Sequence, residues 1–233
     1  MFVHHRTKGI VFKKLDRKEA DQVFSIYTKD FGRLEVLGKA IRKATSKLKS
    51  GIEIFYLSEI EFIQGKSYKT LTDAVVIEKF KNLRKDLKRL EIAYRMRQVL
   101  DDLIKGQEKD KKIWNLLLEV FGKLNDSSFR NREIIYYYFL WKFLSILGYR
   151  PDLYNCSACQ EKLKPKALYF DPKQEGIVCE NCFSKDNMQV SPEIIKTIRV
   201  IIDQDSKITF RLKINDKDLK GLEEFSKHYL SFI

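Results

Sequence analysis

The four cysteines constrain this chain more than any other feature. Cys156-Ser157-Ala158-Cys159 and Cys179-Glu180-Asn181-Cys182 form two Cys-x-x-Cys pairs with 19 residues between them. Each pair sets two sulfurs on one side of a turn, and two pairs complete a tetrahedron. The spacing therefore predicts one structural Zn2+ held by Cys156, Cys159, Cys179 and Cys182. The span from Lys162 to Val178, with Pro165, Pro172 and Gly176, is short and loop-rich and is not expected to bury a core of its own; metal ligation would supply the missing stability. Two disulfides would need an oxidising compartment, for which the sequence carries no signal, and a thioredoxin-like centre would need one reactive pair beside a βαβ unit. A zinc deaminase would need His-x-Glu ahead of its cysteines, and that triplet is absent. The site reads as closed, and no catalytic residue is assigned.

Ahead of the cysteines the hydrophobic period changes once. Gly9–Phe12, Gln22–Thr28, Arg33–Leu37, Ile52–Leu57 and Leu71–Ile77 are short runs rich in β-branched and aromatic residues, bounded by turn chemistry or charge. Lys29-Asp30-Phe31-Gly32 suits a tight hairpin turn, and Gln64-Gly65-Lys66-Ser67 separates the last two runs. Five short strands fit a small barrel of the OB type, with an SH3-like barrel as the competing topology. From Leu83 the spacing becomes helical: Leu83, Leu87, Leu90 and Tyr94 form one stripe, and Ile113, Leu116, Leu117, Val120, Phe121 and Leu124 another. Glu133 to Gly148 is apolar nearly all round and reads as a buried helix closed by a C-terminal glycine. Ser191-Pro192-Glu193 opens a further helix, Lys207 to Ile214 alternates like a strand, and Asn215-Asp216 caps a final helix through Leu219, Leu222, Phe225 and Tyr229. The fold class expected is α+β. Residues 1–80 form a barrel, 81–152 a helical domain, 153–187 a zinc module and 188–233 C-terminal helices packing on the helical domain.

Charge narrows the partners. The chain carries 45 Lys and Arg against 32 Asp and Glu, a formal net charge of +13. Residues 1–80 and 81–152 each hold 16 basic and 10 acidic side chains, whereas residues 153–190 are balanced. A surplus of this kind favours a polyanion. Between the third and fourth strands, Gly38 to Gly51 holds Lys39, Arg42, Lys43, Lys47 and Lys49 and no acid. On a small barrel such a loop projects beside the binding face, where cations track a phosphate backbone. With Lys8 and Arg33 these residues are the candidate DNA-binding set. No apolar run reaches the length of a membrane span, and the opening residues lack a secretory signal, so a soluble intracellular protein is expected. Gly65-Lys66-Ser67 echoes the end of a P-loop, but Ile60 stands where that motif needs glycine.

These parts, in this order, resemble the RecO family of bacterial recombination mediator and DNA repair proteins. The resemblance rests on Thr7-Lys8-Gly9-Ile10-Val11, Glu19-Ala20-Asp21, Tyr27 to Arg33, Gly38 to Lys49, Phe143-Leu144 with Leu147-Gly148-Tyr149-Arg150-Pro151, and the cysteine pairs that follow. It covers the chain to about residue 192. It implies an N-terminal OB-fold domain, a helical domain and a zinc module inserted before the last helices. It also implies a cytoplasmic, nucleoid-associated protein that binds single- and double-stranded DNA and anneals complementary strands without nucleotide hydrolysis. Such proteins work with RecR and RecF and help RecA replace single-strand-binding protein. Two departures stand out: the usual Gly-Gly before the second cysteine pair is Glu175-Gly176, and nothing after Lys207 matches a family motif.

A competing reading is a zinc-ribbon nucleic-acid enzyme or its subunit with an unrecognised site; another is a scaffold whose charge serves solubility. The family resemblance further implies that the helical domain receives the acidic, Phe-ended tail of single-strand-binding protein. Arg84, Lys88, Arg95, Arg130, Arg132 and Lys142 are the cations available there, with no assignment among them.

Overall fold

The computed structural model describes residues 3–65 and 68–233; Lys66 and Ser67, part of the expected turn between the last two strands and of the P-loop-like triplet, lie outside the described residues. The chain divides into two compact units, residues 1–136 and 137–233.

In the first unit, β1 (His4–Arg17), β2 (Asp21–Thr28), β3 (Gly32–Gly38), β4 (Leu57–Gln64) and β5 (Lys69–Glu78) close a barrel in the order β1-β2-β3-β5-β4, with β4 returning to β1. β1 runs antiparallel to both β2 and β4, and β3 meets β5 in parallel through only Val36↔Lys69 and Leu37↔Thr70. This order is that of the OB barrel, as expected. Alternate residues point inward, so Val11, Phe24, Ile26, Leu34, Val36, Ile60, Phe62 and Leu71 form one apolar core.

The fourth strand departs from expectation. Ile52 to Tyr56 is not a strand; the ladder begins at Leu57. Phe55 sits at φ 62°, which interrupts any extended run, and its N–H donates to the Val11 carbonyl at 2.7 Å while the Tyr56 carbonyl accepts from Val11 at 3.1 Å. Ile52 enters the barrel core, whereas Phe55 is buried outside it against Phe12, Tyr94 and Phe121, beside the irregular step in β1 between Val11 and Lys13. The true β4 alternates inward Ser58, Ile60 and Phe62 with outward Glu59 and Glu61, a clean period of two.

Helices follow. α1 (Lys81–Lys85) and α2 (Leu87–Leu103) are separated at Asp86, whose carboxylate caps α2 by accepting from the Lys88 and Arg89 N–H groups. The break resets the helical phase, so the expected stripe fails: Leu87 is 83% exposed and Tyr94 is exposed. The buried face is instead Arg89, Ile92, Ala93, Met96, Val99 and Leu100. α3 (Lys111–Asn125) buries Ile113, Leu116, Leu117, Val120, Phe121 and Leu124 as expected, and adds Trp114. α4 (Glu133–Leu147) is buried continuously from Ile134 to Trp141. It ends on Gly148 at φ +89°, with the Tyr149 N–H reaching the Leu144 carbonyl at 2.9 Å and the Gly148 N–H reaching the Ser145 carbonyl at 3.3 Å, a Schellman closure.

In the second unit, β6 (Leu168–Asp171) pairs with β7 (Gly176–Cys179) and with β8 (Met188–Val190). This sheet departs from the loop-rich expectation; Leu168, Phe170, Ile177 and Val178 are buried, with Phe170 packed on Phe225, His228 and Tyr229 from outside the span. α5 (Pro192–Asp203) starts at Ser191, whose hydroxyl accepts from the Ile194 N–H. The alternating stretch after Lys207 is not a strand. Asp205 caps a single helical turn, α6 (Ser206–Thr209), and local side-chain capping overrides the weak alternation. α7 (Asp216–Leu230), capped by Asn215, buries Leu222, Phe225 and Tyr229.

Candidate metal centre and nucleic-acid interface

The cysteine pairs sit on two turns braced by the β6–β7 hairpin. The first turn is held at its base by Cys156 N–H to the Glu161 carbonyl and Gln160 N–H to the Cys156 carbonyl, both 2.8 Å, and is tied to β7 by Ser157 N–H to the Ile177 carbonyl at 2.9 Å. The second follows directly from β7, with Cys182 N–H donating to the Cys179 carbonyl at 3.0 Å. A Cβ on Gly176 would collide with the Ser157 side chain, so glycine is required where the hairpin passes under the first turn. Its neighbour Glu175 adopts φ 49°, the left-handed conformation that glycine takes without strain.

All four sulfurs lie within 4.8 Å of one another, with Cys156 buried, Cys159 exposed and Cys179 and Cys182 half-buried. Burial works against the Cys156 thiolate, but the N–H groups of Cys159, Cys179 and Ala158 outweigh it and hold the pKa down to about 6. Cys182 is pushed up to about 12 by hydrogen bonding to the Cys159 and Cys179 thiols and by burial. Four thiolates this close repel one another, and a cation at their centre would remove that conflict. The cluster can therefore hold a metal ion, and an all-sulfur donor set suits a soft or borderline one.

The basic segment leaves β3 and returns to β4 around the barrel's end. Ile41 and Ile52 insert into the barrel core and Leu48 packs against it, which leaves Lys39, Arg42, Lys43, Lys47 and Lys49 exposed. Its start is held by the β1–β2 turn: Ala40 N–H donates to the Asp21 carboxylate at 2.8 Å, Arg42 N–H to the Ala20 carbonyl at 3.0 Å, and the Arg42 guanidinium meets Asp16 at 3.3 Å. Arg17 and Lys18 therefore adjoin the segment. Sequence reading missed both, because only the strand pairing brings that turn alongside.

Lys8 and Arg33 are elsewhere. Arg33 stands at the opposite end of β3 from Gly38, and Lys8 is beside Lys29 in the β2–β3 turn, through the Lys29 N–H to Lys8 carbonyl bond of 2.9 Å. A strand of this length puts about 20 Å between the two ends. Arg33 also has a structural partner, donating to Asp101 at 2.5 Å and to the Ile104 carbonyl at 3.0 Å.

Most of the cations of the helices have local partners. Arg84 lies over the Tyr56 ring at 4.6 Å, Arg95 meets Glu133 at 2.9 Å and stacks on Tyr136, and Arg132 meets Asp86 at 2.8 Å. Lys142 donates to the Ile202 and Gln204 carbonyls, closing the C-terminus of α5. Lys88 and Arg130 are exposed. Sequence reading missed the buried Arg89, whose guanidinium donates to the carbonyls of Leu124, Asp126 (2.8 Å) and Phe129 (3.0 Å).

The comparisons with known proteins agree with this architecture. The family description "Recombination protein O N terminal" matches residues 1–80, and "Recombination protein O C terminal" matches residues 84–232. The chain belongs to the RecO family. "DNA repair protein RecO" of Dehalococcoides mccartyi is 30% identical over 229 residues, covering 98% of this chain and 90% of that protein. Proteins of the same name from Moorella thermoacetica and Roseiflexus sp. are 30% and 28% identical, covering 85% and 81% of those chains. Among the described residues of this RecO-family chain, no helix is long and apolar enough to cross a membrane.

Proposed function

We propose that this chain is a recombination mediator in DNA repair: it binds single- and double-stranded DNA through the barrel, anneals complementary strands without nucleotide hydrolysis, and assists RecA loading together with RecR and RecF. The observation that carries the reading is the exposed Lys39–Lys49 segment on an OB barrel in a chain that matches the RecO family over nearly its whole length. Cations on a loop with no acid of its own suit phosphates, and binding to phosphate neither requires nor confers sequence preference. In this reading Cys156, Cys159, Cys179 and Cys182 hold one Zn2+, which acts as a fold determinant and takes no part in chemistry. The acidic, Phe-ended tail of single-strand-binding protein is a partner through the helices.

The test is annealing of labelled complementary oligonucleotides with and without ATP and Mg2+. Annealing independent of both is expected; cleavage or modification of the strands would favour a zinc-ribbon enzyme, and no effect on annealing would reject the reading. Arg42→Ala with Lys43→Ala should weaken binding to all sequences alike and lower the salt slope by about one unit for each phosphate no longer neutralised. Unchanged affinity and slope would reduce the segment to a solvated surface. Titration of the tail peptide should show binding that weakens with salt and with loss of its terminal Phe.

A further inference from the structure

β3 and β5 close the barrel through only Val36↔Lys69 and Leu37↔Thr70, so β3 has no partner on that side from Glu35 back to Gly32. Beside that stretch, on the outer surface of the barrel, lies an open groove of about 500 Å³, lined by Arg33 and Glu35 of β3, by Gln64, Tyr68 and Lys69, and by the chain from Asp101 to Gln107. Its floor is fixed: Arg33 is clamped between Asp101 and the Ile104 carbonyl, and Lys105 Nζ donates to the Asp101 carbonyl at 3.0 Å. Its walls offer amide and carboxylate groups from Gln64, Gln107 and Glu35, together with Lys69, which reaches Gln107 at 3.4 Å. At the mouth stands Tyr68, an aromatic ring that is 42% exposed. The Arg17 guanidinium covers the ring at 4.0 Å from its centroid, which sets Tyr68 beside the end of β1.

We propose that Tyr68 and this groove form a slot for an unpaired base of a DNA strand whose phosphates lie on the neighbouring basic segment. The inference rests on the DNA-binding reading of the barrel and goes beyond it by assigning where a base, as opposed to a phosphate, is held. Three features favour this occupant. The volume lies within the range of pockets for small organic groups, and both donors and acceptors face it, as the polar edge of a base requires. The ring is pinned by a cation, and a pinned exposed ring loses little freedom when a base stacks on it. The β1–β2 turn that follows Arg17 also holds the start of the basic segment, so a strand crossing the segment passes the mouth of the slot. A base inside a duplex is stacked and paired and cannot enter. The slot would therefore favour single strands over duplex, and annealing would release the base and with it the product.

The experiment compares wild type, Tyr68→Ala and Tyr68→Phe in the full chain, using a single-stranded dT oligonucleotide, the same sequence as a duplex, and free dTMP. Tyr68→Ala should weaken single-strand binding about tenfold, the loss expected for one stacked base, with duplex affinity and the salt slope unchanged. Tyr68→Phe should keep wild-type affinity, because the ring remains. A 2-aminopurine placed in the strand should be quenched by wild type and less so by Tyr68→Ala. Equal single-strand affinity in all three proteins would overturn the proposal while leaving the DNA-binding reading intact. Equal weakening for duplex and single strand would also overturn it, showing a structural effect. Binding of dTMP as tight as that of the oligonucleotide would assign the groove to a free nucleotide and likewise reject it. If wild type bound neither DNA, the reading of the barrel itself would fail. Because Tyr68 is exposed and outside the barrel core, a matching thermal unfolding curve confirms that each variant is folded.

Discussion

The barrel closes its edges on itself, with β4 returning to β1 and β3 meeting β5, around a core that runs from Val11 to Ala74. The sheet beside the cysteines has strands of four, four and three residues and leaves β7 and β8 as edges. The first is held by many interlocking side chains, so no single one dominates. The second buries Leu168, Phe170, Ile177 and Val178 and then depends on four sulfurs drawn together. The two regions should accordingly respond to different insults. Chelation should act on the second, and loss of buried polar groups on the first unit.

The largest effect should come from the cysteines. Cys156→Ser with Cys182→Ser should abolish metal binding and remove amide-exchange protection in Leu168–Asp171, while β1 and β2 keep theirs. Bound metal in structural sites contributes on the order of 10 kcal/mol to folding, more than so small a sheet can supply alone. Metal analysis of the purified protein, paired with exchange measurements, decides this. Unaltered protection in β6 after metal loss would show that the small apolar core suffices, and the contrast between the two regions would collapse.

Next comes Arg89, in the first unit. Its side chain is only 2% exposed, and its removal would leave the Leu124, Asp126 and Phe129 carbonyls without their donor. Arg89→Ala should cost roughly 3 to 5 kcal/mol, by analogy with breaking buried charge networks. Arg89→Lys should recover little, because one ammonium cannot span three carbonyls. Metal content should be untouched in both, as judged by denaturant unfolding and metal analysis together.

Asp86 gives a smaller and pH-dependent effect. Burial opposes its charged form, but the N–H groups of Arg89 and Lys88 and the guanidinium groups of Arg132 and Arg89 outweigh this and hold its pKa below the ordinary value. A depressed carboxylate contributes stability above the ordinary aspartate pKa of about 3.9, and the contribution is lost as pH falls through the folded value. Asn is as good a cap as Asp, so Asp86→Asn tests the charge alone: it should lower the melting temperature at pH 7, and the loss should shrink as pH falls below the ordinary aspartate value. No loss at pH 7 would show that only the cap hydrogen bonds matter, and a loss independent of pH would show that the charge does not contribute.

These sites also mark where the sequence was legible. The cysteine spacing, the hairpin at Lys29–Gly32, the α3 stripe and the Ser191 and Asn215 caps are local signals, and local physics decides them. The phase of α2 is reset by the cap at Asp86, which the stripe from Leu83 to Tyr94 runs through, and a buried Arg89 is legible only with its carbonyl partners 35 to 40 residues away. Ile52 and Phe55 carry the composition of a strand, yet the positive φ at Phe55 turns the chain, so Ile52 enters the barrel core and Phe55 packs against Tyr94 and Phe121 of the helices. The grouping of basic residues was half legible. The Lys39–Lys49 run is contiguous in sequence, whereas the distance from it to Lys8 and Arg33, and the approach of Arg17, follow only from strand register.

The smallest expected effect lies at the family departure, Glu175. As an L-residue at φ 49° and ψ 33° it closes the turn Pro172–Gln174 in a conformation that costs an ordinary residue about 1 kcal/mol. Glycine would relieve that strain but would also gain freedom in the unfolded chain, which offsets part of the benefit. Glu175→Gly should thus stabilise the metal-bound protein by no more than about 0.5 kcal/mol, seen as a slightly higher urea midpoint. Gly176→Ala should act in the opposite sense and more strongly, because its Cβ meets the Ser157 side chain on the turn that carries Cys156 and Cys159. The pair separates backbone strain from close packing at two adjacent positions. If Glu175→Gly lowered the midpoint instead, the Glu175 carboxylate would be holding the turn. One candidate partner would then be the Tyr229 phenol, whose pKa burial and this carboxylate together push up to about 12.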